Sequence, residues 1–210
     1  GRYLTASYVP YFSPTALLNV NEQASMVITT RDEFGNATAT TDANGLVTTS
    51  VYGALNRAYY AADSTGRAMT TTYRWCDQLT NGCPTGTSFR ERTSIAGAPT
   101  SFTYFDPLGR PTLKVSQSFN DGALNKNWTA ACTAYDNHGR EVFASVPFFL
   151  GSAYGVVAEP VFSGGSNPCS GISSANETTF DVLGRVRRLV TADGSTSTST
   201  FNGLTTMVTD

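Results

Sequence analysis

The chain has 210 residues, a formal net charge of −2, a pI of about 5.4 and only 14% charged residues, with 19 glycines and heavy use of Ser and Thr. That balance offers no electrostatic pull on nucleic acid or an anionic membrane, no apolar run reaches the length of a membrane span, and the Glu-Lys-Ala-Leu background of helical proteins is missing. The size fits one large β domain or part of something bigger.

In chain order, no signal-peptide pattern opens the sequence, which reads as starting mid-protein. Gly1-Arg2 is either the tail of an upstream turn or an arbitrary start, and residues 1–24, with Pro10 and Pro14, read as an irregular lead-in. Strand signals begin at Ser25, where Met26, Ile28 and Thr30 alternate with Val27 and Thr29. Turn signals then fall at Asp32, Asp42, Gly53 and Asp63, spaced by 10, 11 and 10 residues. Such a beat of short strands predicts an all-β antiparallel meander. It breaks at about 74–100, a first excursion around Trp75 to Pro84, and resumes at Ser101–Phe105. Leu113 and Val115 alternate with Thr112, Lys114 and Ser116 as a half-buried strand. A turn follows at Asn120-Asp121-Gly122, then a strand through Trp128, Ala130 and Cys132. A second excursion, at about 147–176, is rich in Gly, Pro, Ser and aromatics (Phe148, Phe149, Tyr154 and Phe162), and in both excursions the exposed-looking aromatics would suit a binding surface. Two Thr-rich strands close the chain after Asp193-Gly194.

One pattern organises all of this. Phe105-Asp106-Pro107-Leu108-Gly109-Arg110 returns as Tyr135-Asp136-Asn137-His138-Gly139-Arg140 and as Phe180-Asp181-Val182-Leu183-Gly184-Arg185. Looser copies centre on Asp32 and Gly35, and on Asp63, Gly66 and Arg67, with a decayed copy at Tyr52–Arg57 in which Asn56 replaces Gly. Asp suits the first position of a type I turn, where its carboxylate accepts a backbone N–H two residues on. Proline suits the second, and Gly at the fourth takes φ > 0 and forms the bulge that closes a hairpin. Asn is the next residue most tolerant of that conformation. The aromatic ends the incoming strand and Arg begins the outgoing one, so each copy reads as a hairpin tip.

Chemistry-bearing residues are sparse. Cys76 and Cys83 bracket one loop, and Cys132 and Cys169 could tie the second excursion to its base; buried free thiols are the alternative. A C-x6-C spacing with one histidine in the chain leaves a zinc site short of ligands, and the Asp42 turn lacks the distal Glu of a calcium loop. His138 stands at a variable turn position, where a general base would lack an enclosed partner. Asn36, Asn127 and Asn176 head glycosylation sequons, which matter only for a eukaryotic source. Arg187-Arg188 reads as one inward and one outward residue of a strand. We expect no catalytic, metal or cofactor site, and hence no enzyme.

Three strict aromatic-Asp-x-x-Gly-Arg copies in a Thr-, Gly- and Tyr-rich background resemble the YD-repeat, or Rhs-repeat, family, which includes bacterial Rhs toxins, the B and C components of insecticidal toxin complexes, and the teneurins. The resemblance runs from about Arg31 to Asp210, strict at the copies of Asp106, Asp136 and Asp181 and loose before residue 70. It implies a large spiralling β-sheet shell enclosing a C-terminal toxin, with residues 25–210 as wall. Asp106-Pro107-Leu108-Gly109 continues with Arg110 and so departs from that family's autoproteolytic Asp-Pro-x-Gly-Leu segment. Two further readings stand beside a secreted or surface bacterial shell: an adhesive or filament-forming surface module, and a glycan hydrolase, which would need two placed carboxylates. Open sheet edges need covering, so Ser25–Arg31 and Gly203–Thr209 are expected to pair with chain outside this sequence or with identical chains.

Overall fold

The computed structural model describes residues 6–8, 26–42, 44–118, 128–154, 159–203 and 205–210. The turn at Asn120-Asp121-Gly122, the sequon Asn127, Gly1-Arg2 and most of the lead-in lie outside them. The protein is all-β and antiparallel; among the described residues helical turns are limited to short 3₁₀ pieces such as Ala54–Asn56 and Cys76–Gln78. The chain divides into two compact units, Gly1–Thr72 with Thr93–Ala98, and Tyr73–Arg92 with Pro99–Asp210.

In the first unit, β1 (Ala6–Tyr8), β2 (Met26–Arg31), β3 (Ala37–Thr41), β4 (Val47–Tyr52), β5 (Ala58–Asp63) and the start of β6 (Ala68–Trp75) each pair with their sequence neighbours. Two expectations change here. Ala6–Tyr8, within the irregular lead-in, is a strand, and it pairs with Met26–Ile28, so part of the edge expected to await outside chain is already taken. The rows across the unit are built of small and hydroxylated residues, as in Thr30–Ala39–Thr49–Ala62–Ala68. With few large side chains to bury, the hydroxyls of Thr30 and Thr49 turn back onto the carbonyls of Ala39 and Ala62.

The second unit carries the end of β6, the start of β7 (Phe89–Ile95), and then β8 (Ser101–Phe105), β9 (Pro111–Gln117), β10 (Trp128–Tyr135), β11 (Glu141–Ser145), β12 (Phe148–Phe149), β13 (Ala175–Phe180), β14 (Val186–Val190), β15 (Thr196–Asn202) and β16 (Thr205–Thr209). Its strands follow in chain order, except that β12 pairs with the first half of β10 while β11 pairs with the second half. Register places Phe102, Val115 and Ala130 in one cross-strand row and Tyr104, Leu113 and Cys132 in the next. These alternate residues form one face and are all buried, while Lys114 between them is exposed, as the two-residue period of a strand requires.

The insertions depart most from the sequence reading. Phe89–Ile95, inside the first excursion, is a strand, so that irregular stretch shrinks to about residues 76–88. The second excursion is not a display of aromatics. Leu150 and Phe162 close over the β8–β10 face at 2% and 0% exposure, with Phe148 and Tyr154 half-buried and only Phe149 well exposed. Phe162 meets Tyr104 edge-on at 5.2 Å. Cys76 is bonded to Cys83, and Cys132 to Cys169. Arg187 and Arg188 are both exposed rather than one inward and one outward, and Arg187 falls where the register of β14 with β13 shifts.

Candidate functional site

The recurring turns are the chemically richest feature of the described residues. In each strict copy the Asp N–H donates to the Arg carbonyl and the Gly N–H donates back to the Asp carbonyl, as with Asp106 and Arg110 at 3.0 Å and Gly109 and Asp106 at 2.9 Å. This is a type I turn closed by a left-handed glycine, with φ of 77° at Gly109, 80° at Gly139 and 81° at Gly184. The looser turns at Asp32–Asn36, Asp42–Leu46 and Asp63–Arg67 repeat the same two backbone bonds. In the decayed copy Asn56 takes φ of 54° and Gly53 N–H reaches Arg57 O.

The carboxylate organises each tip. Asp136 Oδ1 accepts the N–H groups of His138 and Arg140, both at 2.9 Å, and Oδ2 accepts Arg140 Nε at 2.7 Å and Nη2 at 2.6 Å. Asp106 and Asp181 repeat the pattern with Leu108 and Arg110, and with Leu183 and Arg185. Where Arg is absent or turned away, other donors serve: Asn36 Nδ2 on Asp32, and the Thr65 hydroxyl on Asp63.

Having closed its own turn, each Arg of the strict copies reaches an aromatic farther along the chain: Tyr135 and Phe180 open the next copies, while Phe201 lies in β15 outside any copy. The Arg110 guanidinium lies 4.8 Å from the centre of the Tyr135 ring and Nη1 donates to Asp136 O at 3.3 Å. Arg140 lies 4.3 Å over Phe180, and Arg185 3.9 Å over Phe201. A Cβ at Gly184 would stand 3.2 Å from Arg140 Nη1, so the guanidinium would have to shift slightly to admit one. The motif is therefore a clasp: Asp and Gly shape one hairpin, and Arg fastens it to the aromatic of the next. Reading Arg as the first residue of the outgoing strand missed that second role. Its signal was the aromatic that opens the copies at Tyr135 and Phe180, each preceded by a copy that ends in Arg. Replacing Arg140 by Ala and Phe180 by Leu, singly and together, should reveal a coupling of about 0.5–2 kcal/mol in a denaturant double-mutant cycle, whereas Arg140 with the non-adjacent Phe105 should be additive.

The clasps shift the carboxylates. Burial pushes Asp136 up, but the bonds from the Arg140 N–H and guanidinium, the His138 N–H and the Arg140 charge outweigh it and hold the group at about 2. Asp106 and Asp181 are lowered by the same balance, Asp32 chiefly by Asn36, Asp63 chiefly by Thr65, and Asp193 chiefly by Thr191. Groups whose folded pKa lies below the ordinary value of about 3.9 add stability that is present above that value and is lost as pH falls through the folded one. Thermal midpoints should accordingly drop steeply from about pH 4 towards pH 2, and an Asp136→Asn variant, already lower at neutral pH, should show a shallower acid limb.

Beside the first clasp lies a cleft of about 290 Å³, lined among others by Thr85, Asp106, Arg110, Thr133, Asn167 and Cys169. Most of its polar groups are occupied: Asp106 and Arg110 hold each other, and the Thr85 hydroxyl donates to Gly165 O. His138 sits exposed on a tip with its N–H on Asp136.

These features define an all-antiparallel array of clasped β-hairpins. The same fold recurs, over 88% of this chain, in the solved TcdB2-TccC3 structure at a TM-score of 0.60 and 17% identity, and in TcdB2-TccC3-Cdc42 at 0.58 and 15%. The chain spans only 11% and 14% of those two chains. No protein-family model matches the sequence, and no curated protein does.

Proposed function

We propose that the chain is a wall segment of a YD- or Rhs-repeat shell, a structural and non-catalytic part of a larger polypeptide that encloses a C-terminal toxin or effector. The carrying observation is the clasp ladder, Arg110 to Tyr135, Arg140 to Phe180 and Arg185 to Phe201, which joins successive hairpins through side chains as well as strand pairing. A wall needs such continuity and needs no active site. The fold likeness to a small part of much longer chains supports the same reading. Its partners are the remainder of the polypeptide and its cargo, and its setting is secreted or on a bacterial surface, in keeping with two cysteine pairs that are both oxidised.

The test is the intact mass of the native polypeptide isolated from its source. A mass several times 22.4 kDa supports the wall, and a mass near 22.4 kDa overturns it. One observation favours a second reading, a self-assembling surface module: β16 is exposed along its length, with Met207 and Val208 at 63% and 59%. Concentration-dependent association of the isolated 22.4 kDa chain, abolished by a Met207→Pro change in that edge, would support it.

A further inference from the structure

Residues 159–174 lie over the β8–β10 face and contain no strand. Phe162 is wholly buried there, against Tyr104. The segment's end continues the β11–β13 pairing, with Ser174 O accepting the Val146 N–H at 3.1 Å, but nearer its start the backbone turns to a loop instead. Phe162 N–H donates to Asn81 O at 2.7 Å, and Gly165 O accepts Thr85 N–H at 3.0 Å, so the amides engage the 76–88 loop, itself closed by Cys76–Cys83. Glu159 pairs with Arg90 at the start of the segment. The covalent tie to the sheet is Cys169 bonded to Cys132, a core residue of β10 at 2% exposure. The strands below are joined by continuous ladders, Ser101–Phe105 against Pro111–Ser116 and Leu113–Gln117 against Trp128–Cys132, that make no use of the segment.

From this contrast we infer that residues 159–174 are a thiol-releasable strap: reducing Cys132–Cys169 frees them and uncovers the apolar face around Tyr104, while β8–β10 stay paired. The half-buried Cys169 lines the 290 Å³ cleft, whereas Cys132 does not, so a small thiol meets Cys169 first. One thiolate of a dithiol attacks Cys169 Sγ, the bond to Cys132 breaks, and Cys132 leaves as a thiolate that takes a proton from water. The second thiol of the reagent then displaces Cys169, which is also protonated; the disulfide gains two electrons and the dithiol leaves as a cyclic disulfide. The inference stands independently of the shell reading.

Hydrogen exchange followed by mass spectrometry on the full 210-residue chain, with and without dithiothreitol, tests it. Upon complete reduction, confirmed by thiol titration, amides of residues 159–174 should exchange roughly tenfold faster or more, while those of β8–β10 keep their protection. Unchanged protection of the strap overturns the inference, and so does loss of protection in β8–β10 together with it. A C132S/C169S variant should show the open pattern without reductant; a closed strap in that variant overturns the assignment. A C76S/C83S variant should stay closed until dithiol is added, and one already open would place the latch at the other bridge.

Discussion

Phe162→Ala should cost the second unit about 3–5 kcal/mol, the range for removing a large aromatic from a packed core. Phe162 has no exposed surface and sits edge-on to both Tyr104, at 5.2 Å, and Tyr154, at 5.7 Å. Its neighbours cannot collapse into the gap, because Tyr104 is fixed by its place on β8 opposite Leu113 and the disulfide at Cys132 and Cys169 holds the strap at its height. Urea denaturation monitored by far-UV circular dichroism would measure the loss. Phe149→Ala, at a ring that is 55% exposed, should cost well under half as much. Equal effects of the two changes would mean that the second insertion does not close the core.

The second large effect separates two members of one ion pair. Arg90 is 3% exposed and its Nη2 donates to Glu159 at 2.5 Å, while the Glu159 side chain is 40% exposed. Glu159→Gln leaves a guanidinium charge buried beside the Phe102 ring, with Gly82 O at 3.5 Å and Arg92 also nearby over the same ring. That change should cost about 2–4 kcal/mol, close to the penalty for an uncompensated buried charge. Arg90→Met keeps most of the packing volume and leaves a carboxylate that water can reach, so it should cost about 0–1 kcal/mol. Chemical denaturation of both variants checks the order. If Arg90→Met is the more damaging, the guanidinium acts chiefly as packing over Phe102 rather than as half of a charge pair.

The contrast between these residues and the turns explains which parts of the protein were legible beforehand. Asp-x-x-Gly carries its conformation locally: a carboxylate capping nearby N–H groups and a glycine free to take positive φ act within five residues, whatever surrounds them. The same holds for strands such as β9, where Leu113 and Val115 alternate with Lys114. Both arginine roles escaped because their partners are distant in the chain. Arg140 stacks on Phe180 and Arg90 pairs with Glu159, and no local pattern links either pair. Strand β7 falls inside the first excursion for the same reason, since two of its side chains on the Phe102 side are Arg90 and Arg92 rather than aliphatic residues.

By itself, then, the sequence determined the class of fold, the beat of the hairpins and the conformation of each clasp tip, because those depend on turn chemistry and on the two-residue period of a strand. Only the tertiary structure decided that Arg fastens each hairpin to the next, that an arginine strand belongs beside the core, and that the aromatics of the second insertion face inward. An aromatic or arginine side chain can be satisfied by water or by a ring, and the choice is made by what the folded chain brings within reach.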